Sequence, residues 1–88
     1  MPAAVKHFTT PEFWEHFDEL PAEVQLLARK DFELLKQNPR HPSLRLKKAG
    51  SFWTVRVGIH YRAIAKERAE GLNWFWIGHH TEYDQLLS

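Results

Sequence analysis

Two successive segments in the first half of the chain place apolar residues at helical spacing. Thr9 and Thr10 precede Pro11, and Glu12 follows Thr9 by three residues, so this stretch offers an N-cap, a proline for the first turn and a capping-box partner. A helix of about three turns is expected to begin here. The Leu20-Pro21 pair ends it, because proline favours extended backbone in the residue before it. A second apolar stripe repeats every three or four residues from Ala22 to about Gln37. Since one proline turn joins the two predicted helices, we expect an antiparallel hairpin.

From Ser43 onward apolar and polar positions alternate, which is the period of a strand rather than a helix. The predicted strands cover residues 44–47, 53–57, 61–65 and 72–77. The last of these is apolar on both faces, as a central strand should be, and residues 81–87 are expected to form a short helical turn. The predicted fold is α+β: a two-helix N-terminal hairpin on one face of a mostly antiparallel sheet of three or four strands, in a single domain over residues 1–88.

The composition narrows the possible function classes. Eighty-eight residues, 43% of them hydrophobic, suffice for one small core and exclude a disordered chain. Lys and Arg number 12 against 11 Asp and Glu, so the formal net charge of +1 leaves only a local patch for binding nucleic acid. The chain has no cysteine and therefore neither a disulfide framework nor a thiolate zinc site. No apolar stretch approaches the roughly 20 residues that span a bilayer, and we expect a soluble, cytoplasmic protein.

Basic and titratable residues on the strands are the candidate chemistry. By alternation, Arg56 lies on the opposite face of its strand from Val55 and Val57. Arg62 opens the following strand, and His80 follows the end of the last one. Because the helices cover one face, these polar side chains are free to converge on the other. The alternative is that the arginines are solvated or paired with a glutamate, such as Glu67 or Glu70 for Arg62.

Other histidines and aromatic residues admit a structural interpretation. His79 alternates away from His80 and is expected to pack or to cap a loop. Trp74 and Trp76 are expected to share a face, where contact with the core or with a partner is favoured over stacking on a base. A zinc site of His60, His79 and His80 is disfavoured, because no acidic or thiolate ligand accompanies them. Neither a metal nor another cofactor is expected.

Three segments occur in the order and at the separations of a known family. They are LPAEVQLLARKDFELLKQNP in the helical half, FWTVRVGIHYRAIA across two strands, and WFWIGHHTEYDQLL near the end. Together they resemble the RelE/ParE superfamily of bacterial type II toxins. Its members have a leucine-proline turn between two helices, a W-x-V-R-V … Y-R strand pair and a closing G-x-H-x-x-Y segment. The resemblance spans almost the whole chain and favours the RelE-like branch.

For the enzymatic branch, the resemblance implies cleavage of messenger RNA, usually in the ribosomal A site. The ribose 2′-OH attacks the adjacent phosphate, which requires a base, cations for the phosphorane and a proton donor, and no metal. The motif positions place Arg62 at the scissile phosphate and Arg56 at a neighbouring basic position. His80 matches the acid or base, and Tyr83 matches a tyrosine that stacks on a base or shares a proton, although it would serve equally as a core anchor.

The resemblance also implies binding residues and partners. Lys47, Lys48 and Arg45 would form a positive rim for the substrate, and a small antitoxin would order over the toxin on binding. Two alternatives stay open: a ParE-like toxin that inhibits DNA gyrase without nuclease groups, and an inactive relative that binds an antitoxin. The near-neutral charge and Thr54, where some RelE-like members have lysine, favour these alternatives. The pairing of His80 with Tyr83 favours the nuclease.

Overall fold

The computed structural model describes residues 6–87, which form three helices and a five-stranded sheet. The helices are α1 (Pro11–Asp18), α2 (Ala22–Gln37) and α3 (His80–Leu87). The strands are β1 (Lys6–Thr9), β2 (Lys47–Ala49), β3 (Phe52–Val57), β4 (Tyr61–Arg68) and β5 (Gly71–His79), and a 3₁₀ turn covers Pro42–Leu44. The sheet order is β1-β5-β4-β3-β2, with β1 parallel to β5 and every other pair antiparallel. The predicted α+β architecture is confirmed.

The sheet has one strand more than the sequence predicts. β1 pairs in parallel with the first part of β5, so a distant partner rather than its own pattern stabilises this short strand. The strand predicted at residues 44–47 lies too early in the chain. Pro42 instead opens the 3₁₀ turn, and Arg45 has a left-handed backbone with a φ of 47°. β2 therefore begins only at Lys47 and is three residues long.

Both predicted N-terminal helices form, and α2 has the predicted bounds. Of the two threonines, Thr10 is the N-cap of α1, because Thr10 Oγ1 accepts a hydrogen bond from the Phe13 N–H at 3.1 Å. Thr9 Oγ1 accepts instead from Trp14 Nε1 at 2.9 Å. α1 packs mainly on β5 and α2 mainly on β3, so the helices lie side by side on one face of the sheet. Within residues 6–87, none of the helices is long and apolar enough to cross a membrane.

The main core lies between α1, α2 and one face of the sheet, which we call the helix face. Its buried residues are Phe17, Leu20, Val24, Ala28 and Leu35 from the helical half, Leu44 from the 3₁₀ turn, and Val55, Val57, Ala63, Ala65, Leu72, Trp74 and Ile77 from the strands. The opposite face, here the far face, carries Thr54, Arg56, Arg62, Ile64 and Trp76. The centre of the far face is closed to solvent, since Thr54, Ile64 and Trp76 are buried. The polar candidates therefore border a second, smaller buried cluster.

A bulge in β5 separates two tryptophans that simple alternation places on one face. Ala65 pairs with Trp74 and Ile64 pairs with Trp76, so Phe75 is an extra residue between the two pairs. Trp74 joins the helix-face core, whereas Trp76 lies on the far face beside Ile64. The prediction that the two indoles share a face is wrong, because the extra residue reverses the alternation.

His7 ties β1 to the core through Trp74. The Trp74 Nε1–H donates to His7 Nδ1 at 3.1 Å, and the two rings stack with their centroids 6.2 Å apart. Burial, and after it the charge of Lys36, lowers the pKa of His7 from its ordinary value of 6.5. Protonation at Nδ1 would also remove the acceptor of this hydrogen bond. The folded protein therefore binds a proton at His7 less readily than the unfolded chain does.

We expect the free energy of unfolding to decrease as the pH falls below about 6.5, since the unfolded state then binds more protons. The decrease should be shallower in His7→Gln, because glutamine accepts a hydrogen bond without titrating. Denaturant melts of both proteins at about pH 7.5 and about pH 5 measure the difference. A gap between wild type and His7→Gln that is the same at both pH values would contradict this role for His7.

Candidate functional site

The candidate site is built on two arginines that face each other across β3 and β4. Arg56 and Arg62 are direct register partners, so both side chains project from the far face at the same level. On the other side of β4, Gly78 of β5 is the register partner of Arg62. Arg56, Arg62 and Gly78 therefore form a row across three strands, which we call the arginine row. Like charges directly opposite each other destabilise a sheet. The stability of the sheet therefore does not explain this pair.

No acidic side chain in residues 6–87 forms an ion pair with either guanidinium. The two glutamates considered for Arg62 are engaged elsewhere. Glu67 Oε1 accepts a hydrogen bond from Trp53 Nε1 at 2.8 Å, and Glu70 pairs with Arg68 at 3.2 Å. The interpretation of Arg62 as one half of a surface ion pair is therefore wrong.

Both arginines have unused hydrogen-bond donors. The Arg56 Nε atom is buried and has no hydrogen-bond partner in the described part of the chain. Arg62 donates from Nη1 to the backbone oxygen of Tyr61 at 2.8 Å, although a guanidinium has five N–H donors. A buried donor without an acceptor costs about 1–3 kcal/mol. An anion with several oxygens, such as a phosphate, supplies acceptors for the terminal N–H groups of the two guanidinium groups, while the buried Arg56 Nε stays out of its reach.

The indole of Trp76 forms an apolar wall beside the arginine row. A side chain at Gly78 would place its Cβ 2.6 Å from the Trp76 ring, so the indole occupies the space that the glycine leaves. Trp76 is buried, and its ring centroid lies 6.1 Å from that of His16 in α1. A buried apolar wall lowers the local dielectric and strengthens the attraction between a neighbouring guanidinium and an anion.

His80 begins α3 directly after β5. Its backbone N–H donates to the backbone oxygen of His60 at 2.8 Å, which joins the start of α3 to the turn between β3 and β4. Its Nδ1 lies 3.9 Å from Asp84 Oδ2, one helical turn further on. Tyr83 is also one turn along α3, and both His80 and Tyr83 are half-buried, on a helix that contacts β4 and β5. A carboxylate near Nδ1 leaves Nε2 of His80 as the nitrogen available for proton transfer.

Strand alternation predicts that His79 points away from His80, but in the structure the two rings are neighbours. The two ring centroids are 4.5 Å apart, because α3 begins at His80 and the alternation of β5 ends there. The expected capping role is present, since His79 Nδ1 accepts a hydrogen bond from the Thr81 N–H at 3.3 Å. His79 is therefore a neighbour of His80 and not an independent control for it.

The structure divides the three predicted substrate-binding residues. Lys47 pairs with Thr54 and so projects from the far face, as the arginine pair does. Lys48 is the next residue and projects from the helix face. Arg45 lines a separate pocket of about 330 Å³ beside the 3₁₀ turn. Of these three residues, Lys47 alone shares a face with the arginine pair.

An apolar cleft of about 170 Å³ lies on the helix face between α1 and α2. Aromatic side chains such as Phe13, Phe32 and Trp74 line much of it. Because this cleft is on the other side of the sheet from the arginine pair and has few polar groups, it does not serve phosphate chemistry.

Two residues at the site were missed by the sequence analysis. Asp84 lies four residues after His80, and this helical spacing was the signal that would have paired them. His60 was considered only as a disfavoured metal ligand. Its approach to α3 depends on a hydrogen bond between a turn and a helix start, for which the sequence has no local pattern.

The family model of the ParE-like toxin domain matches residues 22–85. The chain belongs to the ParE-like toxin family. The matched range includes all four predicted catalytic residues, Arg56, Arg62, His80 and Tyr83, and leaves β1 and α1 outside. No curated protein matches the chain significantly in sequence.

Solved structures of toxins share the fold of this ParE-like protein. The RelB–RelE antitoxin–toxin complex of Methanococcus jannaschii is similar with a TM-score of 0.71 and 13% identity, over 92% of this chain and 99% of that one. The YoeB/ParE toxin of Agrobacterium tumefaciens has a TM-score of 0.65 and 13% identity, over 86% and 99%. The isolated E. coli RelE toxin has a TM-score of 0.62 and 13% identity, over 97% and 100%. At these identities the likeness shows the fold.

Proposed function

We propose that this ParE-like protein is the toxin of a toxin–antitoxin pair and that it cleaves messenger RNA on the ribosome. The observation that carries the proposal is the arginine pair, Arg56 and Arg62, which has unused donors and no acidic partner within residues 6–87. Cleavage by a 2′-OH passes through a phosphorane whose non-bridging oxygens carry more charge than those of the substrate. Fixed donors aimed at that charge stabilise the transition state more than the ground state.

In the proposed reaction, the 2′-oxygen forms a bond to the adjacent phosphorus and the bond from phosphorus to the 5′-oxygen of the next nucleotide breaks. The products are a 2′,3′-cyclic phosphate and a free 5′-OH, so one proton leaves the 2′-oxygen and one reaches the 5′-oxygen. Arg62 binds the non-bridging oxygens with parallel N–H donors, and Arg56 adds a second charge. His80 takes the proton from the 2′-oxygen at Nε2, and water supplies the proton that the leaving 5′-oxygen needs. The Asp84 carboxylate, 3.9 Å from Nδ1, attracts the imidazolium that forms.

Tyr83 and Lys47 have supporting roles in the proposal. Tyr83 follows His80 by one turn of α3 and stacks on a base next to the cut, as aromatic side chains do with unpaired RNA. Lys47 projects from the same face as the arginine pair and extends positive charge along the phosphate backbone. This local patch explains how a chain with a formal net charge of +1 would hold RNA.

The proposed protein partner is a small antitoxin. The relative from M. jannaschii was solved as an antitoxin–toxin complex. Large apolar side chains are exposed on this chain, among them Trp14 on α1, Leu26 on α2 and Leu86 on α3. A segment that orders on binding would cover such side chains.

The family match favours one alternative function, because the matched family is described as ParE-like. The resemblance to the ParE branch implies inhibition of DNA gyrase. Induced expression in a bacterial host distinguishes the two. For a ribonuclease we expect growth to stop and primer extension to reveal messages cut within codons, while the chromosome stays intact. Intact messages with accumulating DNA breaks would favour gyrase. A neighbouring reading frame that restores growth when co-expressed would identify the antitoxin.

A further inference from the structure

Three histidines meet where β3, β4, β5 and α3 come together. One ring nitrogen from each of His60, His79 and His80 lies within 4.8 Å of the others. The His60 ring stacks on the His79 ring at 6.0 Å and on the His80 ring at 6.2 Å, measured between centroids. Imidazole nitrogens are common ligands of transition-metal ions, and here three of them lie close together.

Backbone contacts hold the cluster together. The hydrogen bond from the His80 N–H to the His60 oxygen, at 2.8 Å, fixes the β3–β4 turn against the start of α3. His79 is the register partner of Tyr61, whose ring lies edge-on to it with centroids 5.4 Å apart. The three side chains thus converge because of the fold and not because of a flexible tail.

The outer contacts of two rings decide which nitrogen of each can bind an ion. His79 Nδ1 accepts from the Thr81 N–H at 3.3 Å and lies 3.0 Å from Thr81 Oγ1, so Nε2 is free to bind an ion once Nδ1 carries the proton and donates to that hydroxyl instead. His80 Nδ1 lies 3.9 Å from Asp84 Oδ2. Metal-binding histidines commonly donate their other N–H to a hydroxyl, carbonyl or carboxylate. Thr81 Oγ1 is at hydrogen-bond distance for this, whereas Asp84 has to come closer than 3.9 Å.

We propose that His60, His79 and His80 bind a divalent transition-metal ion of the Zn²⁺ type through three imidazole nitrogens, with water as the fourth ligand. Three neutral imidazoles suit Zn²⁺. Tetrahedral ligation at 2.0–2.1 Å places two ligand nitrogens about 3.3 Å apart, so the rings need to rotate inward from their present spacing. His60 is exposed and on a turn, and it has room for that rotation.

The metal site has a consequence that rests on the proposed function. An ion on His80 occupies the lone pair that proton transfer needs, so the bound metal inhibits RNA cleavage. Binding itself does not depend on that function and is measured separately.

The test is isothermal titration of ZnCl₂ into the purified full-length chain. We expect one ion per chain in the wild type, and an affinity lower by about a hundredfold or more in His60→Ala. Asp84→Asn should lower the zinc affinity by about tenfold, because Asp84 orients a ligand of the ion and does not bind the ion itself. His41→Ala, which removes a histidine outside the cluster, should bind as the wild type does. Co²⁺ should give the intense visible absorption of a four-coordinate site in wild type and not in His60→Ala.

Thermal melts check that His60→Ala is folded, and added Zn²⁺ should raise the melting temperature of the wild type but not of this variant. Equal zinc affinity in wild type and His60→Ala, or no binding by the folded wild type, would overturn the proposal. Inhibition by zinc is measured as the ratio of the cleavage rate with Zn²⁺ to the rate without it, separately for the wild type and for His60→Ala. Binding without any cleavage activity would contradict the proposed nuclease and leave the metal site supported.

Discussion

Arg62→Ala is expected to lower the rate of RNA cleavage by about a hundredfold or more, which corresponds to about 2.7 kcal/mol or more of transition-state stabilisation. Arg62 would bind the phosphorane with parallel donors, and alanine offers none. The melting temperature should stay at or above that of the wild type. The reason is that Arg62 has no acidic partner within residues 6–87 and stands opposite another arginine, so its removal relieves a repulsion. Single-turnover cleavage and thermal melts of the same preparation measure both effects.

Arg68→Ala is the matched control, since Arg68 lies at the other end of β4 and is paired with Glu70. It should cleave within a few-fold of the wild type. Arg62→Lys keeps the charge but loses the paired donors, and it should recover only part of the rate. If Arg62→Ala cleaved normally, or if its activity and its stability fell together, Arg62 would be a structural residue.

His80→Ala should reduce cleavage by about a hundredfold or more, because positioned acid–base catalysis contributes 10²–10⁴. His80→Gln should not restore the rate, because glutamine forms hydrogen bonds but does not transfer protons at neutral pH. A chelator in the assay removes any metal ion from the histidine cluster, so that only proton transfer is measured.

His41→Ala is the appropriate control here, because His79 lies against His80 and would disturb its ring. His41 belongs to the 3₁₀ turn, where its Nδ1 accepts a hydrogen bond from the Ser43 N–H at 3.2 Å. Near-normal cleavage by His80→Ala would remove the histidine from the mechanism and favour a toxin that acts by binding.

The elements predicted correctly are those whose sequence contains both their pattern and their end signals. Pro21 and the Asn38-Pro39 pair bound α2, and its apolar stripe lies between them, so its range agrees with the structure. In β3, regular alternation places Arg56 opposite Val55 and Val57, and the structure has the same arrangement. Local pattern is sufficient where no distant residue changes it.

The features that the sequence did not predict depend on distant partners or on a break in the alternation of a strand. β1 is four residues long and exists because it pairs with β5. Trp74, Phe75 and Trp76 are all apolar, so the sequence gives no sign that Phe75 is the extra residue. The opposition of Arg56 and Arg62 depends on the register of β3 against β4. The histidine cluster depends on where β5 ends and α3 begins, which alternation alone does not reveal.

The most direct test of the proposed reaction is the chemistry of the RNA ends formed when the purified chain, free of any antitoxin, is added to ribosomes translating a defined message. We expect 5′ fragments that end in a 2′,3′-cyclic phosphate and 3′ fragments that begin with a free 5′-OH. The cuts should lie within the A-site codon and be absent with Arg62→Ala. Uncut message after incubation with the folded wild-type protein, or 3′ fragments that begin with a 5′-phosphate, would contradict attack by the 2′-OH at the arginine pair.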